Sequence, residues 1–282
     1  MSRDARIRSV VKIPQQKRTK ARALRSGAEE RVRQIYRTLA RAWGPQHWWP
    51  AETPFEVMVG AILTQNTSWT NVERAMASLR SAGVLSLEGI RNIHLPELES
   101  LVRPSGYFRQ KAQRLKDLVA FIDAKYGGSL ERMFATPSEA LRSELMMQKG
   151  IGSETADSIL LYAGLHTVFV VDAYTRRILE RHEIVTASAK YDDIRVLVER
   201  ALGQENAPAD IEVDVSRPVV HLPSAMSTAQ QSVSARVYNE MHGLLVQVGK
   251  HYCHKQQPHC DRCALGELLS PRQRARIAVV RL

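Results

Sequence analysis

Four groups of side chains in this 282-residue chain stand in arrangements with chemical potential. Asp172 closes the apolar run Val168 to Val171 and precedes a helical stretch, Ala173 to Glu180. A carboxylate so placed can stabilise a developing cation and orient or deprotonate a water, or it can cap the helix behind it. Lys149-Gly150-Ile151-Gly152-Ser153-Glu154-Thr155 reads as a turn between two helices. Its glycines permit close approaches that a Cβ would block, and the helix after it begins with outward N–H groups. The turn can therefore grip a phosphate oxygen, or serve only as a tight connection. Trp48-Trp49-Pro50 and Trp69 hold three of the four tryptophans in a chain with 6% aromatic residues. Indole faces stack flat ligands, add about 0.5–2 kcal/mol for a cationic one, and fill cores equally well. Finally, Cys253-x6-Cys260-x2-Cys263 contains all three cysteines. An odd, clustered set reads as a metal site or as thiols, not as a disulfide framework.

The elements that must hold these groups are helical. Val32, Ile35, Tyr36, Leu39 and Trp43 form one apolar face from Glu29 onward. Thr53-Pro54-Phe55-Glu56 is a capping box that starts a second helix through Leu63, and Thr70 with Glu73 repeats the spacing for a third helix bearing Val72, Ala75, Met76 and Leu79. Further helices fit 97–102, 109–125 (closed by Gly127-Gly128) and 137–147. Beyond the glycine turn, Ala156, Ile159, Leu160 and Ala163 open another. Val168 to Val171 is either a short strand or a buried connector, and no partner strand is evident. Residues 203–234 carry three prolines and many polar residues, which predicts an insertion or flexible loop before a last helix, Ala235 to Tyr252. The expected fold is all-α. Its core spans 29–202 and 235–265, with a C-terminal tail over 266–282.

Forty Lys and Arg against 29 Asp and Glu give a net charge of +11, of which residues 1–28 supply +8. That excess predicts a polyanionic partner, and the first 28 residues read as a basic, disordered arm with salt-sensitive affinity or as a solubilising tail. Charged residues are 24% and apolar ones 44% of the chain, an ordinary globular balance. With no apolar run of about 18 residues and no leader with an apolar segment, no membrane association is expected, and the expected location is cytoplasmic.

Gln148 to Ala156 followed by Val170-Val171-Asp172 resembles the helix-hairpin-helix and Gly/Pro-rich loop with its aspartate found in the endonuclease III superfamily of DNA glycosylases. Gly60 to Thr67, Gly106-Tyr107 before Lys111-Ala112, and the cysteine region extend the likeness over roughly 30–265. The resemblance implies two helical lobes flanking a cleft, bent double-stranded DNA on the hairpin, and a damaged base rotated out of the stack. It makes Asp172 the catalytic carboxylate and assigns DNA-backbone binding to Lys149, Gly150, Ile151, Gly152, Ser153 and Thr155. Trp48, Trp49, Trp69, Gln65, Asn66 and Tyr107 would form the base pocket and fill the gap in the duplex. Lyase-active members carry a lysine 18 residues before the aspartate, where its amine forms a Schiff base. Here that position is Glu154, which implies a monofunctional enzyme. The Trp-Trp-Pro, Thr-Gln-Asn-Thr and Gly-Ile-Gly-x-Glu segments are similar to the 3-methyladenine glycosylase III branch, which favours alkylated purines. The alternatives are a bifunctional glycosylase/lyase on oxidised pyrimidines and a non-catalytic DNA-binding module. A monomer is expected.

The same resemblance implies a 4Fe-4S loop of the form C-x6-C-x2-C-x5-C, whose fourth ligand falls on Leu269. Three readings stand open: a degenerate loop without metal, a three-cysteine cluster with another fourth ligand, or Zn²⁺ held by the thiolates with His251, His254 or His259. No cofactor is required for the expected chemistry.

Overall fold

The computed structural model describes residues 15–203, 205 and 221–279, and among them there is no strand. Thirteen α-helices carry the described chain. The first, α1 (Gln15–Trp43), packs with α10 (Ala173–Arg181), α11 (Tyr191–Leu202) and α12 (Val233–His251) in one lobe, and α13 (Pro271–Val279) ends the chain beside it. The other lobe winds α2 (Pro54–Leu63), α3 (Trp69–Ser81), α4 (Leu87–Asn92), α5 (Leu95–Leu101), α6 (Phe108–Tyr126), α7 (Leu130–Phe134), α8 (Ser138–Met146) and α9 (Ser153–Ser158) around a shared core. A π-helical turn, Ile159–Ala163, touches both α2 and α12 and joins the lobes. Its five residues are all buried, so the junction is part of one continuous apolar core.

Local chemistry explains the element ends. Thr53 caps α2 through the Glu56 amide at 3.2 Å, while the Glu56 carboxylate returns to the Glu52 amide at 2.9 Å. Gly127 and Gly128, both at positive φ, end α6 where expected. α3 starts earlier than the Thr70–Glu73 spacing predicts, with Ser68 at its cap position, because Trp69 is drawn in against Trp48 and Trp49. α4, α7 and α11 were not anticipated, and α5 begins two residues before 97.

Three boundaries are corrected. Residues 15–28 are the first half of α1 and not a disordered arm, since after Pro14 the chain is rich in Ala, Arg, Lys and Gln, which favour helix without any apolar face. Residues 1–14 lie outside the described part. The insertion expected over 203–234 is partly ordered: Val233 already belongs to α12, capped by Ser232, and residues 221–229 lie against the Trp48 to Ala51 loop. Residues 206–220 lie outside the described part. Val168 to Val171 is a buried connector, its amides at Phe169 and Val171 bonded by Glu199 and the Tyr191 hydroxyl instead of a strand. The tail expected from 266 carries α13.

Candidate active site

Asp172 occupies the N-cap of α10, where its Oδ1 accepts the Thr175 amide at 2.7 Å. The cap and the catalytic reading coexist, because a carboxylate has a second oxygen. Oδ2 lies 3.7 Å from Nε2 of His242, a buried residue of α12. Nδ1 of His242 is 2.6 Å from the Tyr162 hydroxyl, in the turn that joins the lobes. The Asp172 side chain keeps 13% of its surface accessible, so it is recessed without being sealed. Burial holds the His242 imidazole below its ordinary value, with Asp172 opposing, and pushes the Tyr162 phenol well up. Both are therefore neutral near pH 7.

Glu154 stands in the first turn of α9. Desolvation, followed by the charge of Asp172, raises its carboxyl to about 7. The residue is nonetheless exposed by area.

The turn between α8 and α9 is built by three means. Gly150 adopts φ +83°, and a Cβ there would collide with the Arg114 guanidinium. Gly152, at the N-cap of α9, faces open space. A buried ion pair, Arg142 to Asp157 at 2.6 and 3.1 Å, locks α8 onto α9. Of the residues expected to touch the DNA backbone, Lys149, Gly150 and Gly152 are exposed and Ser153 is half-buried. Ile151 and Thr155 point inward: Ile151 belongs to the core, and the Thr155 hydroxyl accepts the Gln65 amide at 2.9 Å. Any contact from those two positions runs through backbone.

Gln65 is tied to the same turn. Its Nε2 also reaches the Gly150 carbonyl at 3.0 Å, and its oxygen accepts Arg114. Asn66 and Tyr107 are exposed, and both hold positive φ, 54° and 46°. Lys111 sits behind them, 1% exposed, donating to the Leu63 carbonyl at 2.8 Å and the Ser105 carbonyl at 2.6 Å. One ammonium thus joins the end of α2 to the loop before α6. Desolvation lowers it to about 8, so it remains charged at neutral pH.

The three tryptophans meet, as their grouping predicts. Trp48 and Trp69 are 6.0 Å apart, Trp49 and Trp69 5.0 Å, and Trp49 reaches Tyr162 at 5.2 Å. Trp48 and Trp49 are buried, however, and Lys250 covers one face of Trp48 at 5.6 Å. His221, from the segment expected to be a loose insertion, stacks beside Trp48 at 5.4 Å. Trp69 Nε1, His221 Nε2 and His242 Nε2 are buried without a hydrogen-bond partner among the described residues. The cluster is therefore a closed aromatic box with polar edges still to be satisfied. Glu240, also buried on α12, accepts the Gln46 amide at 2.7 Å and anchors the loop that carries it. Sequence reasoning missed His242, Glu240, Tyr162 and His221. Their common signal is a polar side chain within or beside an otherwise apolar run.

Cys253, Cys260 and Cys263 line one small cavity with Leu265 and Leu269. Arg181 donates to the Cys253 sulfur at 2.9 Å, and burial pushes the Cys263 thiol up to about 11. A cluster on four thiolates does not fit this donor set, because Leu269 fills the fourth position with hydrocarbon. His254 and His259 line a separate hollow with Lys255. Among the described residues no three His, Cys, Asp or Glu side chains gather around a metal-sized point.

Residues 59–204 match the family described as HhH-GPD superfamily base excision DNA repair protein. A Methanocaldococcus jannaschii protein named as a DNA repair glycosylase is 41% identical over 84% of this chain and 95% of its own length. The H. pylori 3-methyladenine DNA glycosylase, solved with 1,N6-ethenoadenine bound, is 30% identical with a TM-score of 0.61, covering 79% of this chain and 97% of that one. A trapped endonuclease III–DNA covalent intermediate shares the fold, with a TM-score of 0.65 at 19% identity over 88% and 98% of the two chains. The helix-hairpin-helix with its following aspartate, the two helical lobes and these matches lead to one conclusion: the chain belongs to the HhH-GPD superfamily of base excision DNA repair proteins.

Proposed function

We infer that this chain is a monofunctional DNA glycosylase that hydrolyses the N-glycosidic bond of an alkylated purine, of the 3-methyladenine kind, rotated out of double-stranded DNA. The observation that carries the reading is Asp172, anchored through one oxygen and recessed but accessible through its side chain. As the bond between C1′ and the base nitrogen breaks, its electrons leave with the base and positive charge develops on the sugar. The carboxylate stabilises that charge, accepts a proton from the attacking water and leaves an abasic site. A base already cationic through alkylation leaves as a neutral molecule and needs no proton donor. An aromatic box suits such a base, since it offers stacking and cation–π attraction without an acid.

Glu154 supports hydrolysis over lyase chemistry, because a carboxyl cannot form the imine that a lysine forms. The hairpin contributes Lys149 and the exposed glycines to the DNA backbone, and Gln65, Asn66 and Tyr107 enter the gap left by the base. Trp48 and Trp49 must uncover part of their faces for stacking, which Lys250 and His221 now limit. The chemistry uses no cofactor, and the thiol cavity plays no part in it.

The test is mass-spectrometric identification of bases freed from methylated and from oxidised duplex DNA. Release of methylated purines, lost in Asp172→Asn with DNA affinity retained, is the expected result. Release of oxidised pyrimidines alone would reassign the substrate. A borohydride-trapped protein–DNA adduct would overturn the monofunctional reading, and no base release from either substrate would leave a DNA-binding module.

A further inference from the structure

We propose that His242 and Tyr162 are positioning residues that aim the free oxygen of Asp172, as a relay running from the Tyr162 hydroxyl through the imidazole to the carboxylate. The inference rests on the reading of Asp172 as the catalytic carboxylate.

The argument begins with an accounting of hydrogen-bond partners. Oδ1 of Asp172 is fixed by the Thr175 amide, which leaves rotation about the carboxyl to be settled at Oδ2. Oδ2 faces Nε2 of His242 at 3.7 Å. That nitrogen is buried and has no other partner among the described residues. A deprotonated carboxylate only accepts, so the pair is satisfied when Nε2 carries the proton. Nδ1 must then accept, and the group among the described residues placed to donate to it is the Tyr162 hydroxyl, at 2.6 Å. The tautomer is thereby selected from both ends. The remaining gap of 3.7 Å is wider than a hydrogen bond, and hydrogen bonds of this kind tighten when substrate closes the site.

The surroundings keep the imidazole in that state. The rings of Trp48, Tyr162 and Phe169 enclose it, at 6.2, 5.8 and 6.4 Å between centroids. The ionisable groups that act on the pair come from four elements: Asp172 at the head of α10, Tyr162 in the joining turn, Glu154 of α9 and Glu240 of α12. Burial disfavours protonation of the ring, so the relay persists on the acid side of neutrality. An N–H donated to a carboxylate favours its charged form, so removing the donor acts on the acid side of the pH–rate profile.

The test compares His242→Phe, His242→Gln, Tyr162→Phe and Asp172→Asn in the full chain, by single-turnover base release from methylated duplex DNA. Duplex affinity and melting temperature are measured for each. His242→Phe keeps a packed ring and removes the donor, and the expected loss is about 10- to 100-fold in rate. The acid limb of its pH–rate profile is expected to move to higher pH. His242→Gln restores an N–H and recovers part of the rate, and Tyr162→Phe loses less than His242→Phe. A merely structural histidine would lower melting temperature without moving the acid limb. His242→Phe within about two-fold of the parent rate, or His242→Gln no faster than His242→Phe at equal melting temperature, overturns the relay. Retained base release in Asp172→Asn would instead sink the assignment of the carboxylate itself.

Discussion

Lys111→Met separates the placement of the loops proposed to face the duplex from the stability of the fold. The methionine follows the same aliphatic path through a site that is 1% exposed, so packing is kept while the ammonium disappears. Two opposed effects follow. The carbonyls of Leu63 and Ser105 lose their shared donor, and two orphaned buried acceptors cost about 2–6 kcal/mol together. Against this, the ammonium is held at a pKa of about 8 in place of 10.5, and removing that desolvated charge returns about 3 kcal/mol. The net change in stability is therefore small, between a gain of about 1 and a loss of about 3 kcal/mol. Function has no such compensation, since the ammonium is the direct link between the chain leading to Gln65 and Asn66 and the chain leading to Tyr107. Chemical denaturation should show a folded, slightly weakened protein, while duplex affinity and single-turnover base release fall by about 10-fold or more. Base release within about two-fold of the parent would show that these loops hold their places without Lys111.

Arg142→Ala leaves Asp157 fully buried without its partner and should cost about 3–5 kcal/mol by denaturant titration, whereas Arg142→Met with Asp157→Leu should recover most of it; equal losses in the single and double variants would contradict the pairing. Gly150→Ala forces φ +83° on a residue with a Cβ, at about 1–2 kcal/mol, and displaces Arg114 from Gln65. Gly152→Ala meets open space at ordinary φ, so it should fold normally and weaken only duplex binding, a split measurable by melting temperature against titration with DNA. Glu240 is raised by burial to about 7 from 4.5, so the folded state holds that proton more tightly than the unfolded chain. Its contribution to stability is present below pH 4.5 and is lost as pH rises through about 7, a change of about 3 kcal/mol that Glu240→Gln should remove from the difference between denaturation at pH 5 and at pH 8.

Much of this architecture could be read from residues alone. The cap at Thr53, the glycine stop of α6, the hairpin and the aspartate that follows it all carry local signals, which act within a few residues. The rest was hidden for particular reasons. Thr70 has a good capping sequence, but the packing of Trp69 against two other indoles decides where α3 starts. α4 and α7 are six and five residues long, too short for a periodic face. α11 does carry Ile194, Val198, Ala201 and Leu202 on one buried face, but the polar stretch beside it masks that pattern in the sequence. The burial of Trp48 and Trp49, and the ordering of 221–229 over them, depend on contacts across more than 170 residues.

Segments that face a ligand in an all-helical protein are irregular, so their backbone groups have no ladder or helix to join and must be satisfied by side chains. The irregular segments here are held by buried or half-buried polar residues of the helices. Lys111 of α6 holds the carbonyls of Leu63 and Ser105, from which the chain runs on to Gln65 and Asn66 and to Tyr107. Arg142 of α8 fixes the hairpin through Asp157, Glu240 of α12 holds the tryptophan loop at Gln46, and Glu199 with Tyr191 of α11 hold the connector that ends at Asp172. These are the residues an apolar pattern treats as interruptions. A polar side chain buried within a helix, as Lys111 of α6 and Glu240 of α12 are, marks a neighbouring segment whose backbone groups it satisfies, and those hydrogen bonds offset the cost of burying it.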